Sequence, residues 1–354
     1  MDTTGTLDEA LERLHRTGPE LEGWLTNHAP MAVEALVRHG QARTVHRWLD
    51  RYQDKLEDMP AATGPVTEDN WREHLGDPRK LTDWALFFTR QVEERPWRDV
   101  LAEWWPRLLP GISGAATHPV IRTGHAVRTL LSEEEARGGA STEPRRAELG
   151  HALGYWAARH LTLSGIRELP VPRSAAAGLD AVPLVADQSG GIVARLERIT
   201  GLPARPGAQD LDAAAAEAEV AEVVRAATLR YATHAHGSPV MLVHAATAPN
   251  GVLRTLPALP PELWGPSLDA AWTVSAAVTA VYGPREAAPA PDPGQAAPEE
   301  IFERAVAHGD EHVIKLADTA LDVAEWSGRN GDDEGRSRAL SAALRSVELT
   351  EPLF

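Results

Sequence analysis

Apolar residues recur along this chain at helical spacing, in long segments of Ala, Leu, Arg and Glu that proline and glycine interrupt, with no sustained two-residue alternation between them. That pattern restricts the chain to an all-α fold. The spacing predicts helices over about 7–16, 28–39, 43–57, 80–93, 96–108, 118–134, 143–162, 209–234, 239–247, 261–282, 298–324 and 335–348. Local start signals agree with it: Ser141 and Thr142 precede Pro144, Ser238 precedes Pro239, and Gly40 follows a last turn. We expect one large multi-helix domain over 1–354, with 283–296 (GPREAAPAPDPGQA) a Pro/Ala-rich surface loop within it. The break at 163–208 holds short apolar runs around Val182 to Val185 and is expected to be irregular but packed. No repeat of fixed period is present.

The chain has no cysteine, which removes disulfides, iron–sulfur clusters, thiolate zinc sites and cysteine nucleophiles together. Histidine and carboxylate are left as metal ligands, and there are fourteen histidines. A formal charge of −16, without any lysine-rich or arginine-rich run, argues against a nucleic-acid partner. The first thirty residues show no basic start followed by an apolar stretch, and no later segment has the apolar length of a membrane span, so a cytoplasmic protein with no membrane partner is expected. Most of the eleven tryptophans are expected in the core, where some could line a pocket for a flat aromatic ligand.

Lys55, Lys80 and Lys315 are the chain's three lysines, and one of them lies in AHGDEHVIKLADTAL, 307–321. Read as one helix, this stretch puts His308, His312 and Lys315 within about 60° of one another, with Thr319 in the same stripe. A solvated face explains the stripe as well, because Glu311 and Lys315 have the i,i+4 spacing of an ion pair. HGDEH also fits the H-x-x-E-H pattern of a zinc hydrolase, although only a short tail follows to supply the further carboxylate ligand. A carboxylate-bridged di-iron bundle would need two E-x-x-H pairs, which Glu148–His151 and Glu12–His15 could provide. The second pair reads better as a solvated helix face. Nucleotide-binding glycine loops, a P-loop and a nucleophile elbow are all absent from the sequence.

Other histidines occupy helix starts and apolar turns. His28 precedes Pro30, with Asn27 as a possible cap; His118 precedes Pro119, with Thr117 as a possible cap and His125 two turns on; His236 precedes Ser238; His244 lies in an apolar turn. A single histidine of this kind is usually a satisfied core residue. Four of them directed at a common helical core would be costly unless something bound their free nitrogens, and a metal would do so.

NHAPMAVEAL at 27–36, THPVIRTGHA at 117–126, HGSPVMLVHAAT at 236–247 and DEHVIKLADTAL at 310–321, in this order, resemble the questin oxidase-like family. The resemblance implies an oxidoreductase of aromatic polyketide metabolism that opens an anthraquinone ring in an oxygen-dependent, NADPH-linked oxidation formally like a Baeyer–Villiger reaction. It further implies a non-haem iron(II) centre in the helical core, with His28, His118, His244 and His312 as ligands joined by Lys315, the lysine carboxylated. A polycyclic aromatic substrate and molecular oxygen are the implied partners. His236 and Arg122 are candidates for proton transfer and for steadying a phenolate or quinone oxygen. Fungal members carry a further histidine four residues after the one matching His118; here that position is Arg122, and His125 lies beyond it.

The residue types suit the chemistry. Imidazole suits iron, and oxygen activation without flavin or haem needs a redox metal. A buried lysine can lose its proton and take up carbon dioxide, becoming a carbamate that ligates like a long glutamate. Two alternatives stay open: a helical binding protein that keeps the pocket without metal or catalysis, and the zinc hydrolase built on HGDEH.

Overall fold

Gly150 and Gly154 stand one turn apart on a single helix face, and a Cβ at either would come within 2.9 Å of the backbone of Thr89 or Ala85. Two helices therefore meet there backbone to backbone, and the aromatic core of the first half of the chain is built around them. The computed structural model describes residues 4–138, 141–207 and 211–353. Their regular structure is helical apart from two pairs of very short strands, in keeping with the periodicity. They divide into two compact units, described in turn.

The first unit takes in the described residues up to Thr162 together with Arg254–Leu263. Its main helices are α1 (Thr4–Leu14), α2 (Ala29–Arg38), α3 (Val45–Tyr52), α4 (Leu81–Glu94), α5 (Trp97–Leu108), α6 (His118–Arg137) and α7 (Glu143–Ala158). An antiparallel pair, β1 (Glu20–Leu21) and β2 (Leu25–Thr26), delivers the chain to α2. The glycine face of α7 lies on α4, and Trp84, Phe87, Phe88, Trp104, Trp105 and Trp156 are fully enclosed around this contact. Most of their rings meet edge to face, as in Phe88 against Trp104 at 4.8 Å and Trp105 against Trp156 at 5.3 Å, while Trp84 stacks on Phe88 at 5.6 Å. These tryptophans form core rather than a pocket wall.

The second unit holds Leu163–Leu253 and Trp264–Phe354, of which the described part ends at 353. Its main helices are α8 (Ala213–His234), α9 (His244–Thr255, whose last two residues belong to the first unit), α10 (Trp264–Tyr282), α11 (Pro298–His308), α12 (Glu311–Arg329) and α13 (Asp333–Leu349). α12 and α13 form an antiparallel hairpin through Gly331, left-handed at φ 71°. The predicted helix start at 209–210 lies outside the described residues, and Asp212 caps α8 through Ala215 N–H.

Residues 163–207 are packed, with Leu179, Val182, Leu196 and Ile199 buried, and mostly irregular; they hold two short helical turns, Ala175–Asp180 and Ile192–Leu196, and the parallel pair β3 (Arg167–Leu169) and β4 (Gly201–Pro203). The Pro/Ala-rich 283–296 segment has no regular structure. It is tied down where Ala288 N–H donates to the Thr233 carbonyl at 2.7 Å and Arg345 donates to the Pro289 carbonyl. Among the described residues, no helix is long and apolar enough to cross a membrane.

Two expected helices differ in extent. The one expected over 239–247 is a short turn, Pro239–Leu242, followed by α9, which continues past Pro249 to Thr255. The one expected over 298–324 is two helices, because Gly309 turns left-handed at φ 82° and Asp310 restarts the chain as a cap.

Candidate functional site

The first cluster forms where two helices of the first unit begin. His28 is the N-cap of α2, and Asn27 Oδ1 accepts the Ala29 N–H at 3.0 Å. His118 opens α6 directly ahead of Pro119. The chain reaches it through three successive left-handed residues, Ala115 (φ 43°), Ala116 (φ 53°) and Thr117 (φ 72°). For residues with a Cβ this conformation costs roughly 1–2 kcal/mol each, and it is ordinarily adopted singly.

What the turn achieves is visible at His118. The Ala115 carbonyl lies 2.6 Å from His118 Nδ1, which must donate to it, so the lone pair of the neutral ring is on Nε2. That atom lies 2.6 Å from His28 Nε2, with the two rings edge to face. Both side chains are buried. Thr117 does not cap α6, contrary to expectation: a side-chain cap needs an extended backbone, and Thr117 is left-handed.

The second cluster belongs to the second unit. Asp310 caps α12, its Oδ1 accepting from His312 N–H at 2.9 Å and Val313 N–H at 3.1 Å. One turn on, Lys315 is fully enclosed, and its Nζ makes no hydrogen bond to Glu311 or any other described residue. Burial lowers its pKa to about 7, against the opposing pull of Glu311 and Asp310. The surface ion pair is thus not what this lysine forms.

His244 opens α9 with its ring 5.9 Å from that of His312, centroid to centroid. Its Nδ1 donates to the Met241 carbonyl at 2.9 Å, leaving Nε2 with the lone pair. Burial first, then Lys315 and His312, holds its pKa well below the ordinary histidine range. His118 and His244 are therefore both imidazoles whose Nδ1 is committed to a backbone carbonyl, the arrangement by which proteins orient metal-ligating histidines.

His308 does not share the stripe of His312 and Lys315. The break at Gly309 places it on α11, where its Nε2 donates to the Thr350 carbonyl at 3.0 Å and Leu353 N–H returns to its own carbonyl. The H-x-x-E-H reading requires both histidines on one helix, and the restart at Asp310 removes that premise.

The remaining candidates divide. His125 is buried, with Nδ1 2.6 Å from Glu34 Oε2, and Arg128 Nε donates to Glu34 Oε1 at 3.0 Å. Burial pushes the Glu34 carboxyl up, but Arg128 and His125 together hold it far below its usual range; burial also lowers His125, with Glu34 opposing. Arg122 grips Glu148 through Nε and Nη2 at 2.6 and 2.7 Å. His236 is exposed, in the turn Ala235–Gly237.

Glu34 escaped the sequence reading, although a carboxylate amid the apolar PMAVEAL was its signal. His15, expected on a solvated face, instead reaches Glu148 Oε2 at 2.9 Å and stacks on His151 at 4.3 Å. With Arg122 paired to the same carboxylate, Glu148 is an ion-pair partner here rather than one arm of a di-iron site.

Fold and site together define a helical protein with buried, tautomer-fixed imidazoles and a buried lysine that has no hydrogen-bond partner among the described residues. Residues 25–133 match the family model described as Questin oxidase-like, the family that the sequence motifs resemble. The match takes in His28, His118, Arg122 and His125, and suggests an enzyme of oxidase or oxygenase type; the motifs at 236–247 and 310–321 lie beyond it. No curated protein matches the chain.

Proposed function

We propose that this protein is an oxygen-dependent oxidoreductase that oxidises and opens a ring of an anthraquinone-like polycyclic aromatic ketone at a non-haem iron centre. The proposed ligands are His28, His118, His244, His312 and Lys315. The observation that carries the reading is the state of Lys315: buried, without a hydrogen-bond partner among the described residues, its pKa lowered to about 7. A lysine in that state is poorly explained as a structural cation, because a buried ammonium needs partners. As a neutral amine it adds carbon dioxide, releasing one proton and forming a carbamate whose oxygens can ligate metal. The donor set fits iron(II), since His118 and His244 each commit Nδ1 to a backbone carbonyl, which makes Nε2 the ligating atom. When bound, non-haem iron supplies the redox chemistry that lets dioxygen react with a closed-shell aromatic.

The chain's own residues set the conditions for that chemistry. The Ala115 and Met241 carbonyls hold His118 and His244 in one tautomer each, and Asp310 anchors the turn that carries His312. His125, oriented by Glu34, is the proposed proton acceptor; Arg122, whose Nε and Nη2 hold Glu148, is the candidate for steadying a phenolate or quinone oxygen, and His236 is a candidate proton donor. NADPH is the proposed reductant, acting on quinone or metal without a dedicated nucleotide-binding fold.

Elemental analysis of protein prepared without added metal, with its intact mass, tests the centre. Near-stoichiometric iron and a mass increment of one carboxyl group are expected, followed by oxygen uptake with hydroxylated anthraquinones and NADPH. Failure to take up anaerobic iron(II) would sink the proposal and favour a binding protein without catalysis.

A further inference from the structure

We propose that Ala115, Ala116 and Thr117 form a strained positioning turn that fixes the His118 ring in one tautomer and one direction, the direction a divalent metal ion needs. The inference rests on the metal-binding reading above and adds residues that do not themselves touch the metal. Three consecutive left-handed residues with a Cβ are disfavoured where glycine would fit freely. The next residue is strained as well, since His118 is right-handed helical (φ −55°, ψ −37°) directly ahead of Pro119, a conformation that a following proline disfavours.

Such a backbone persists only where its surroundings over-determine it. Three clamps on the first unit do so. Ile112 bridges Leu161, Trp156 Nε1 donates to the Gly111 carbonyl at 3.2 Å, and Gly114 is pressed so close that a Cβ there would meet the Arg159 carbonyl oxygen at 1.9 Å. The product of the turn is the Ala115 carbonyl, held 2.6 Å from His118 Nδ1. Thr117 adds a second sign that stability is not what this turn optimises, for its buried Oγ1 has no hydrogen-bond partner among the described residues.

Both alanine methyl groups are half-buried, so glycine would relieve the strain with little loss of packing. Glycine would also let the Ala115 carbonyl wander, and the His118 ring with it. The turn thus exchanges fold stability for aim, and the two properties are separable by experiment.

Ala115→Gly, Ala116→Gly and the double variant are compared with wild type, with Ala116→Ser as the conservative control that keeps a Cβ. Expected are a metal-free Tm raised by about 2 °C per glycine and an anaerobic iron(II) dissociation constant raised roughly tenfold, with the serine variant near wild type in both. An unchanged Tm would mean that the turn is unstrained. A raised Tm with unchanged affinity would mean that its strain does not serve His118. Should wild type bind no metal, the metal reading fails by itself, and nitrogen-15 NMR of His118 still decides the turn's role: a single Nδ1–H tautomer in wild type that becomes mixed in the double-glycine variant supports it, and identical spectra overturn it.

Discussion

Lys315 stands three residues after His312 on α12, yet His312 is half-buried beside Asp310 while Lys315 is sealed from solvent without a hydrogen-bond partner among the described residues. One helical turn therefore separates a side chain held by its helix cap from one whose charge only the nearby Glu311 and Asp310 favour, without a hydrogen bond. The fold tolerates this arrangement at a cost in stability.

Replacing Lys315 by methionine removes that cost. A pKa lowered from 10.5 to about 7 corresponds to a burden on the order of 3–5 kcal/mol when the amine is charged. Between pH 7 and 10.5 the unfolded chain binds the proton that the folded chain has lost, so this lysine makes stability rise with pH across that window. In metal-free buffer stripped of carbon dioxide, Lys315→Met should raise Tm near pH 7 and flatten the rise above it; in a separate anaerobic titration the variant should fail to bind iron(II). A variant less stable than wild type under these conditions would show Lys315 to be structurally paired.

Acid acts on different groups. Glu34 and Glu148 both titrate far below the ordinary carboxylate range in the folded protein, because charged and hydrogen-bonding partners outweigh the upward push of burial. Depressed carboxylates contribute stability that is present above the unfolded pKa of 4.5 and is lost as pH falls towards the folded value. Unfolding followed by circular dichroism should show stability declining below about pH 4.5. Glu34→Gln should shrink the decline, and Glu148→Gln should do so independently.

Asp310→Ala should cost about 1 kcal/mol, the usual loss when a helix cap is removed. It frees the His312 and Val313 N–H groups that Asp310 Oδ1 accepts. The loosened first turn carries His312, so iron affinity should fall together with Tm, and Asp310→Asn should restore both. Titration calorimetry alongside thermal melts makes the comparison.

At the glycine face of α7, Gly154→Ala would place a Cβ 2.9 Å from Ala85 backbone atoms, which cannot rotate away. Overpacking of this kind costs typically about 1–3 kcal/mol. Urea unfolding should register that loss, whereas Gly331→Ala, with nothing within 4 Å but a left-handed φ of 71°, should lose stability through backbone strain alone.

The helices could be read from period and punctuation, and their cores stand where expected: α4, α5 and α6 each fall within a few residues of the predicted span. The errors occurred where one residue overrode the pattern. Gly309 splits a continuous amphipathic stretch because its left-handed turn interrupts backbone bonding without disturbing the apolar spacing on either side. Pro249 failed to stop α9, since a proline costs one backbone bond and packing can compensate for it. At the site, the histidines announced themselves by type and by the prolines after them. Glu34 and His15 did not, because a carboxylate in an apolar helix and a histidine near a terminus gain meaning only from partners that lie 91 and 133 residues away.

From the sequence alone come the all-α class, the lack of any thiol chemistry, and a stock of histidines beside a scarce lysine; these depend on residue type and local spacing, which the chain carries before it folds. Tertiary structure decides which nitrogen of His118 and of His244 holds the lone pair, because a backbone carbonyl from a neighbouring turn takes the other. It also decides that Lys315 is a buried amine with a pKa of about 7 rather than a surface cation, because burial, which helical spacing leaves open, withdraws the water that would keep it charged.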